Sequence, residues 1–429
     1  MIVLGLDIGT TTISAVVMDD EKVLTAKTYS NDSFISNRPA WEKAQSPEKI
    51  RSIALPLVAE LLEAYPDVSR IGLTGQQHGI LYLDECGCPL SPLYTWQDGR
   101  GDLPYKDGKS YAAFLSEITG YPLATGYGMV THFYNMKNGL VPENAVTFCT
   151  IHDYLAMVLA NRTSPQLDPS DAASFGLFDL KQGCFDQAAM KKAGIDIAPV
   201  VAETPLLGAD NDGRLVYTAI GDNQASFLGA TNGQTDCMLI NVGTGSQFSV
   251  HIPEYAVCEE LETRPFPTGG YLLVGSSLCG GRAYALLEQF FRKTADMLGH
   301  PKTSCYEAMN RLLDASEAPE DPVIVHPLFQ GTRSNPSLRG RIENLSVNNF
   351  DPISLIYGTM QGMSDELHEM YLRYLAIGGK CDVLFGSGNG LRKNQHLCQI
   401  FEQTFGLHLI LSQKEEEAAC GAAAYARSM

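Results

Sequence analysis

The sequence predicts an α/β protein built from two similar domains, and three observations carry the prediction. Strand patterns alternate with helical ones along the chain. A strand, a Gly-Thr turn and a second strand occur together twice. The two copies, aligned at Gly9 and Gly243, stand 234 residues apart in a chain of 429, a little over half its length. Two related halves facing each other explain that offset most economically, with the join expected at 217/218 and domains 1–217 and 218–429.

The elements follow in order. Ile2 to Leu6 reads as a strand, Asp7-Ile8-Gly9-Thr10-Thr11-Thr12 as a turn, and Ile13 to Met18 as the returning strand. Asp19-Asp20 makes a second turn and Val23 to Tyr29 a third strand. A helix then starts at Ser46, a side chain that accepts a backbone hydrogen bond, with Pro47 suited to the first helical position and Glu48 to the positive helix end. Ile50, Ile53, Ala54, Leu57, Val58, Leu61 and Leu62 recur at helical spacing, so one face is buried. Pro56 removes a backbone bond within it and predicts a kink. Arg70 to Thr74 reads as the next strand.

The second half opens with Leu239 to Val250, which repeats the initial hairpin. Asp351-Pro352 starts a long helix that Gly378-Gly379 ends. Val383 to Phe385 reads as a strand, Gly386 to Gly390 as a loop, Asn394 to Phe405 as a helix and Leu407 to Leu411 as a strand. The final helix, Lys414 to Ala426, is rich in alanine and carries Gly421, which lets a neighbour approach closely.

Composition narrows the partners. Lys+Arg number 31 and Asp+Glu 49, a formal charge of −18, so no basic face is to be expected for nucleic acid or an anionic membrane. No run approaches the roughly 18 apolar residues of a spanning helix, and Asp7 arrives too early for a signal peptide. Eleven cysteines without a C-x-x-C pair suit reduced thiols in the cytosol. The expectation is a cytoplasmic protein with small-molecule partners, a monomer or homodimer.

The phosphate-loop, dinucleotide, nucleophile-elbow and zincin motifs are all absent from the sequence. Two Gly-Thr turns and the glycine loop at 386–390 remain. Glycine lets backbone N–H groups approach phosphate oxygens closely. One such turn reads as an ordinary hairpin, whereas two at a half-chain offset, one beside Asp7, point to a nucleotide. Asp222 follows Ala219-Ile220-Gly221 as though opening a helix, where a carboxylate serves as a helix cap or as a base near a reacting hydroxyl. His78 fits an interior hydrogen-bonded histidine as well as a ligand contact. Asp98-Gly99 has the look of a turn, with Trp96 and Arg100 as pocket wall.

Gly5-Leu6-Asp7-Ile8-Gly9-Thr10-Thr11 resembles the first phosphate loop of the actin-like ATPase superfamily, specifically of the FGGY carbohydrate kinases. The likeness continues through Gly75-Gln76-Gln77-His78-Gly79, Thr95-Trp96-Gln97-Asp98-Gly99-Arg100, Ile220-Gly221-Asp222-Asn223-Gln224, Gly243-Thr244-Gly245 and Gly386-Ser387-Gly388-Asn389-Gly390. It spans nearly the whole chain, and the 96–100 stretch with Gln76-x-His78 is most like members acting on sedoheptulose, with xylulose the close second. The resemblance implies two actin-like (ribonuclease H-like) domains with an ATP and sugar cleft between them. It implies Asp7 for Mg²⁺, Thr10 and Thr11 for ATP phosphates, and Gly243 and Thr244 for the β- and γ-phosphates. It also implies Gly386, Gly388 and Asn389 for adenosine, Gln77, His78, Asp98 and Asn223 for sugar hydroxyls, and Asp222 as the base. Asn241 stands where many relatives carry an acid, so metal binding is expected from the Asp7 side. An actin-like ATP-binding clamp without a sugar pocket is the alternative from another class, and the set Asp222, Gln77, His78 and Asp98 favours the kinase.

Overall fold

A computed structural model describes residues 1–300, 303–332, 335 and 337–429. The chain gathers into two compact units, neither continuous in sequence. The first comprises Met1–Gly233, Arg264–Tyr271 and Lys414–Met429, the second Gln234–Thr263 and Leu272–Gln413. These units cross the expected boundary at 217/218, because a helix beginning at Asp222 and the C-terminal helix both pack with the first.

The first unit is built on β1 (Ile2–Ile8), β2 (Thr12–Asp19) and β3 (Lys22–Ser30), followed by α1 (Pro47–Ala64), β4 (Arg70–Gly75), α2 (Ile151–Leu159), β5 (Leu206–Ala209), β6 (Leu215–Tyr217), β7 (Ile220–Gly221) and α3 (Asp222–Ala230). The sheet order is β5-β6-β4-β1-β2-β3, with β7 also paired to β4. β1 runs two residues further than its apolar pattern indicates. Asp7 pairs with Ser14 in the β1–β2 ladder, so Asp7 belongs to the strand and only Gly9 to Thr11 make the turn. The ladder's hydrogen bonds extend the strand past a charged residue because Asp7 lies near the strand's carboxyl end, where its side chain lines a cavity rather than the apolar core. α1 starts where expected, with Ser46 Oγ accepting the Lys49 N–H at 3.1 Å, and it continues through Pro56 to Ala64. Ile50, Ala54, Leu57, Val58 and Leu61 form its buried stripe.

A second sheet repeats this plan with β8 (Met238–Val242), β9 (Ser246–Ile252), β10 (Glu262–Pro265), β11 (Tyr271–Ser277), α4 (Gly280–Met297), α5 (Pro352–Ala376), β12 (Leu384–Ser387), α6 (Gln395–Phe405) and β13 (Leu409–Leu411); all of it falls in the second unit except Arg264, Pro265 and Tyr271. Its order is β10-β11-β9-β8-β12-β13. The β8–β9 hairpin is antiparallel, from Met238 opposite Val250 to Val242 opposite Ser246, and β12 lies parallel to β8 as β4 does to β1. The strand–turn–strand repeat in the sequence is thus a repeat of topology. Asp351 Oδ1 caps α5 at the Ser354 N–H, 2.9 Å away, and Gly378 takes φ +88° just past its end.

The C-terminal helix α7 (Glu417–Ser428) is fastened to the first unit through glycines. A Cβ on Gly5 of β1 would stand 2.0 Å from the Ala419 carbonyl oxygen, and one on Gly72 of β4 2.0 Å from that of Ala422. Across the α3–α7 contact, a Cβ on Gly421 would meet the Ala225 carbonyl at 1.7 Å, and one on Gly229 the Glu417 carbonyl at 1.8 Å. The two helices therefore touch backbone to backbone. In an exposed helix Gly→Ala stabilises by about 1 kcal/mol; here the sign should invert. Gly421→Ala is expected to destabilise by about 1–3 kcal/mol through overpacking, read as a lowered Tm in calorimetry, and an unchanged or raised Tm would contradict this packing.

Candidate active site

Three parallel strands of the first unit end side by side. Ile8 of β1 is level with Gly75 of β4, and Gly75 with Gly221 of β7. Asp7 stands one residue before that line and Asp222 one residue after it. The carboxyl ends of strands are where open α/β sheets bind their ligands. A cavity of about 360 Å³ lies there, lined by Asp7, Gly9, Thr10, Gln76, Trp96, Asp222, Asn223, Ser226 and Ala418.

Asp222 is the first residue of α3, and the capping position belongs to Gly221, with no side-chain cap bond. Asp222 is therefore not the capping residue: its carboxylate lines the cavity and accepts from the neighbouring Asn223, whose side-chain amide is 3.1 Å from Oδ1 and whose backbone N–H also bonds it. Burial raises the Asp222 carboxyl above its ordinary range, against the pull of His78, Arg264 and His152. Asp7 is pushed up to about 7, chiefly by burial and then by the Asp222 carboxylate, with Glu416 adding to the push and His152 opposing it. Two carboxyl groups in one cavity, both raised by burial and Asp7 raised further by Asp222, form a site that gains from a hard cation or a proton.

The first turn is braced. Trp96 Nε1 donates to Thr10 Oγ1 at 3.0 Å, which donates to Gln76 Oε1 at 3.2 Å. Gln76 Nε2 donates to Gln45 Oε1 at 2.8 Å, and Gln45 Nε2 returns to the Thr10 carbonyl at 2.9 Å. The Thr10 hydroxyl is therefore part of a hydrogen-bonded ring that ties Trp96 to the turn. Thr11, by contrast, is exposed.

The residues expected to meet sugar hydroxyls separate. Asn223 lines the cavity. His78 adopts φ +70°, stacks on Tyr127 with ring centroids 4.7 Å apart, and has Nδ1 2.6 Å from the Ser174 carbonyl oxygen. Gln77 is buried behind Gly221, donating to the Ser170 carbonyl at 3.0 Å. Asp98 is 0% exposed. Its carboxylate accepts from Arg100 Nε at 2.6 Å and from the Lys43 N–H at 3.0 Å, and Arg100 is itself buried against the Tyr94 ring. Asp98 and Arg100 thus form a support beneath the loop that presents Trp96, and the expected wall residue Arg100 and sugar contact Asp98 lie away from the cavity. A charged pair reads in sequence as exposed, and only its mutual neutralisation permits this burial.

In the second unit, the other glycine loops converge on one another. The Gly281 N–H donates to the Gly243 carbonyl at 2.9 Å and the Arg282 N–H to the Thr244 carbonyl at 3.0 Å, while Gly280 packs on Gly245 too closely for a Cβ. Gly388, at φ +88°, passes 2.5 Å from the Val242 carbonyl by the same measure. Thr244 and Asn389 are exposed. Gly386 is an exception: it lies within β12, buried against Leu391 and Leu409, so it packs the strand and is not part of the loop surface. Asn241 donates to Ser387 Oγ at 2.7 Å, a strand-to-strand tie.

Three participants escape a sequence reading. Arg264, 9% exposed, and His152, fully buried, reach Asp222 electrostatically from distant segments, and no local pattern announces either. The Gly280-Gly281 pair opening α4 does carry a signal, two glycines before an amphipathic helix.

Residues 2–205 match the N-terminal domain of the FGGY family of carbohydrate kinases and residues 238–428 its C-terminal domain. The chain is similar to sedoheptulokinase of Mus musculus, 26% identical over 98% of this chain and 96% of that protein. It is also similar to gluconokinase of Bacillus subtilis (strain 168), 20% identical over 98% and 86%. A solved xylulose kinase from Rhodospirillum rubrum shares the fold, with a TM-score of 0.84 at 21% identity, covering 100% of this chain and 90% of that one. With both domains matched across most of its length, the chain belongs to the FGGY family of carbohydrate kinases.

Proposed function

We propose that this carbohydrate kinase transfers the γ-phosphoryl group of ATP to the terminal hydroxyl of a ketose, with sedoheptulose preferred. The observation that carries the reading is the Asp222 carboxylate, set at the first turn of α3, unused as a cap, and facing the same cavity as Asp7. In-line phosphoryl transfer needs a positioned hydroxyl, a carboxylate beside it and a countercharge for the phosphates. Asp222 accepts the hydroxyl proton as the sugar oxygen bonds to phosphorus and ADP departs. Asn223 orients the hydroxyl, and Arg264 brings positive charge toward Asp222. Thr11 and the turn's N–H groups, with Gly243, Thr244, Gly388 and Asn389 of the second unit, bind the nucleotide. Asp7 would hold Mg²⁺, and the mutual repulsion of Asp7 and Asp222 fits that ion; bound there, its charge would offset that of the transferring group.

The preference for sedoheptulose is supported by the 96–100 stretch and by the likeness to sedoheptulokinase, which extends over nearly the full length of both proteins. A cavity of about 360 Å³ lies at the small end of ligand sites, roughly 300–1,000 Å³, and either ketose is of that order. In a coupled ADP assay kcat/KM for sedoheptulose is expected to exceed that for xylulose by at least about 10²-fold, the worth of two hydroxyl contacts. An equal or inverted ratio assigns the enzyme to xylulose instead.

Asp222→Asn should lower kcat by about 10²–10⁴ while the KM for ATP changes little; near-full turnover would remove the base. Asp7 supplies a pH signature with a definite sign. A carboxyl raised to about 7 is protonated below that pH and competes there with a metal, so half-saturating Mg²⁺ should rise as pH falls from 8 to 6. The same shift makes the folded protein bind the extra proton between about pH 4 and pH 7, so Asp7 favours folding less and less as pH rises through that window. Asp7→Asn should therefore gain Tm relative to wild type between pH 5 and pH 8 while losing activity. A Tm difference independent of pH would refute the assignment.

A further inference from the structure

Beneath the strand ends lies a cluster that neither meets substrate nor moves a proton in the phosphoryl transfer, although His152 acts on Asp222 through space. His152 and Asp153 open α2, and Asp171 belongs to the short helix Pro169–Ala172. Their exposures are 0%, 1% and 0%. One ligand atom from each lies within 4.8 Å of the others, close to the span of a single coordination sphere. His152 Nε2 is 3.0 Å from Asp171 Oδ2; two ligands about 2.1 Å from one ion stand roughly 3.0–3.4 Å apart. The Thr150 hydroxyl reaches both carboxylates, at 2.7 Å to Asp153 and 3.1 Å to Asp171.

Charge and hydrogen bonding both leave the cluster incomplete. Neither aspartate pairs with a lysine or arginine among the described residues, and Asp153 Oδ1 is buried with no hydrogen-bond partner there. Buried carboxylates are ordinarily paired, protonated or bound to metal. Two carboxylates, a neutral imidazole and a divalent ion sum to zero charge. One imidazole with two carboxylates is a donor set for Zn²⁺ or Mn²⁺ and a poor one for soft ions.

We propose that His152, Asp153 and Asp171 form a structural metal site for a divalent ion of the Zn²⁺/Mn²⁺ class. The ion joins α2 to the 169–172 helix, and that helix supports the reacting edge: the Ser170 carbonyl accepts from Gln77 and Ser170 Oγ accepts from the Gly221 N–H at 3.3 Å, next to Asp222. The site is closed, so the ion enters during folding and exchanges slowly. The rival occupant is a proton on Asp153, which burial and the Asp171 carboxylate already push well above the usual carboxylate range.

Full-length protein, purified without chelator or metal-affinity resin from cells supplied with both metals, decides the matter by elemental analysis. About one equivalent of Zn²⁺ or Mn²⁺ per chain is expected after gel filtration, retained in Asp7→Asn and lost in His152→Gln and Asp153→Asn. Prolonged treatment of wild type with EDTA should lower Tm by about 5 °C, and added Zn²⁺ or Mn²⁺ should restore it. Wild type carrying less than about 0.1 equivalent, with a Tm indifferent to both ions, overturns the proposal and leaves a shared proton. Should the variants fail to fold, the wild-type metal content and Tm response decide alone.

Discussion

The backbone-to-backbone seating of the C-terminal helix is the constraint on which the first unit depends. α7 can lie on β1 and β4 only because Gly5 and Gly72 present no side chain to it, and it can lie on α3 only because Gly229 and Gly421 present none to each other's neighbours. That seating fixes α3 against the sheet, and α3 begins with Asp222. The position of the proposed base relative to Asp7 is thus decided by four missing methyl groups, and by the last residues of the chain being folded beside the first.

The electrostatics of the cavity follow from where those strands end. β1, β4 and β7 finish level, so their flanking acids share a small volume that burial and mutual repulsion make unfavourable for two negative charges. A phosphotransferase can use that tension, since a proton arrives from the sugar hydroxyl and a cation with the nucleotide. The basic groups that temper it, His152, His78 and Arg264, come from three separate segments. They act from beside and beneath the acids, leaving the cavity itself lined mainly by carboxylates, small residues and amides.

The two units show the same sheet plan put to different purposes. In the first, the turn after β1 is braced by a ring of Thr10, Gln76, Gln45 and Trp96, which links the turn to the support formed by Asp98 and Arg100. In the second, the equivalent turn after β8 is braced by backbone hydrogen bonds from the start of α4. Side-chain bracing suits the first turn, which adjoins a polar cavity, and glycine packing suits the second, where backbone meets backbone.

Much of this was legible without coordinates. Period-2 and period-3.6 patterns located the strands and helices, the spacing of two Gly-Thr turns revealed the repeat, and Ala-Gly-rich composition marked α7 as a close packer, because local sterics and one-sided burial act over a few residues and leave their mark there. The fate of individual polar groups was not legible. Asp98 with Arg100 became a buried pair, Gln77 a buried donor to Ser170, and Gly386 a packed strand residue, while Asp222 escaped a capping role. Local sequence marks a residue's type and its element, whereas which charge meets which depends on segments brought together from Asp7, His152, Asp222, Arg264 and Glu416. Those meetings are set by the packing of the whole unit, because burial magnifies each electrostatic interaction only after the tertiary fold has removed the water between the groups.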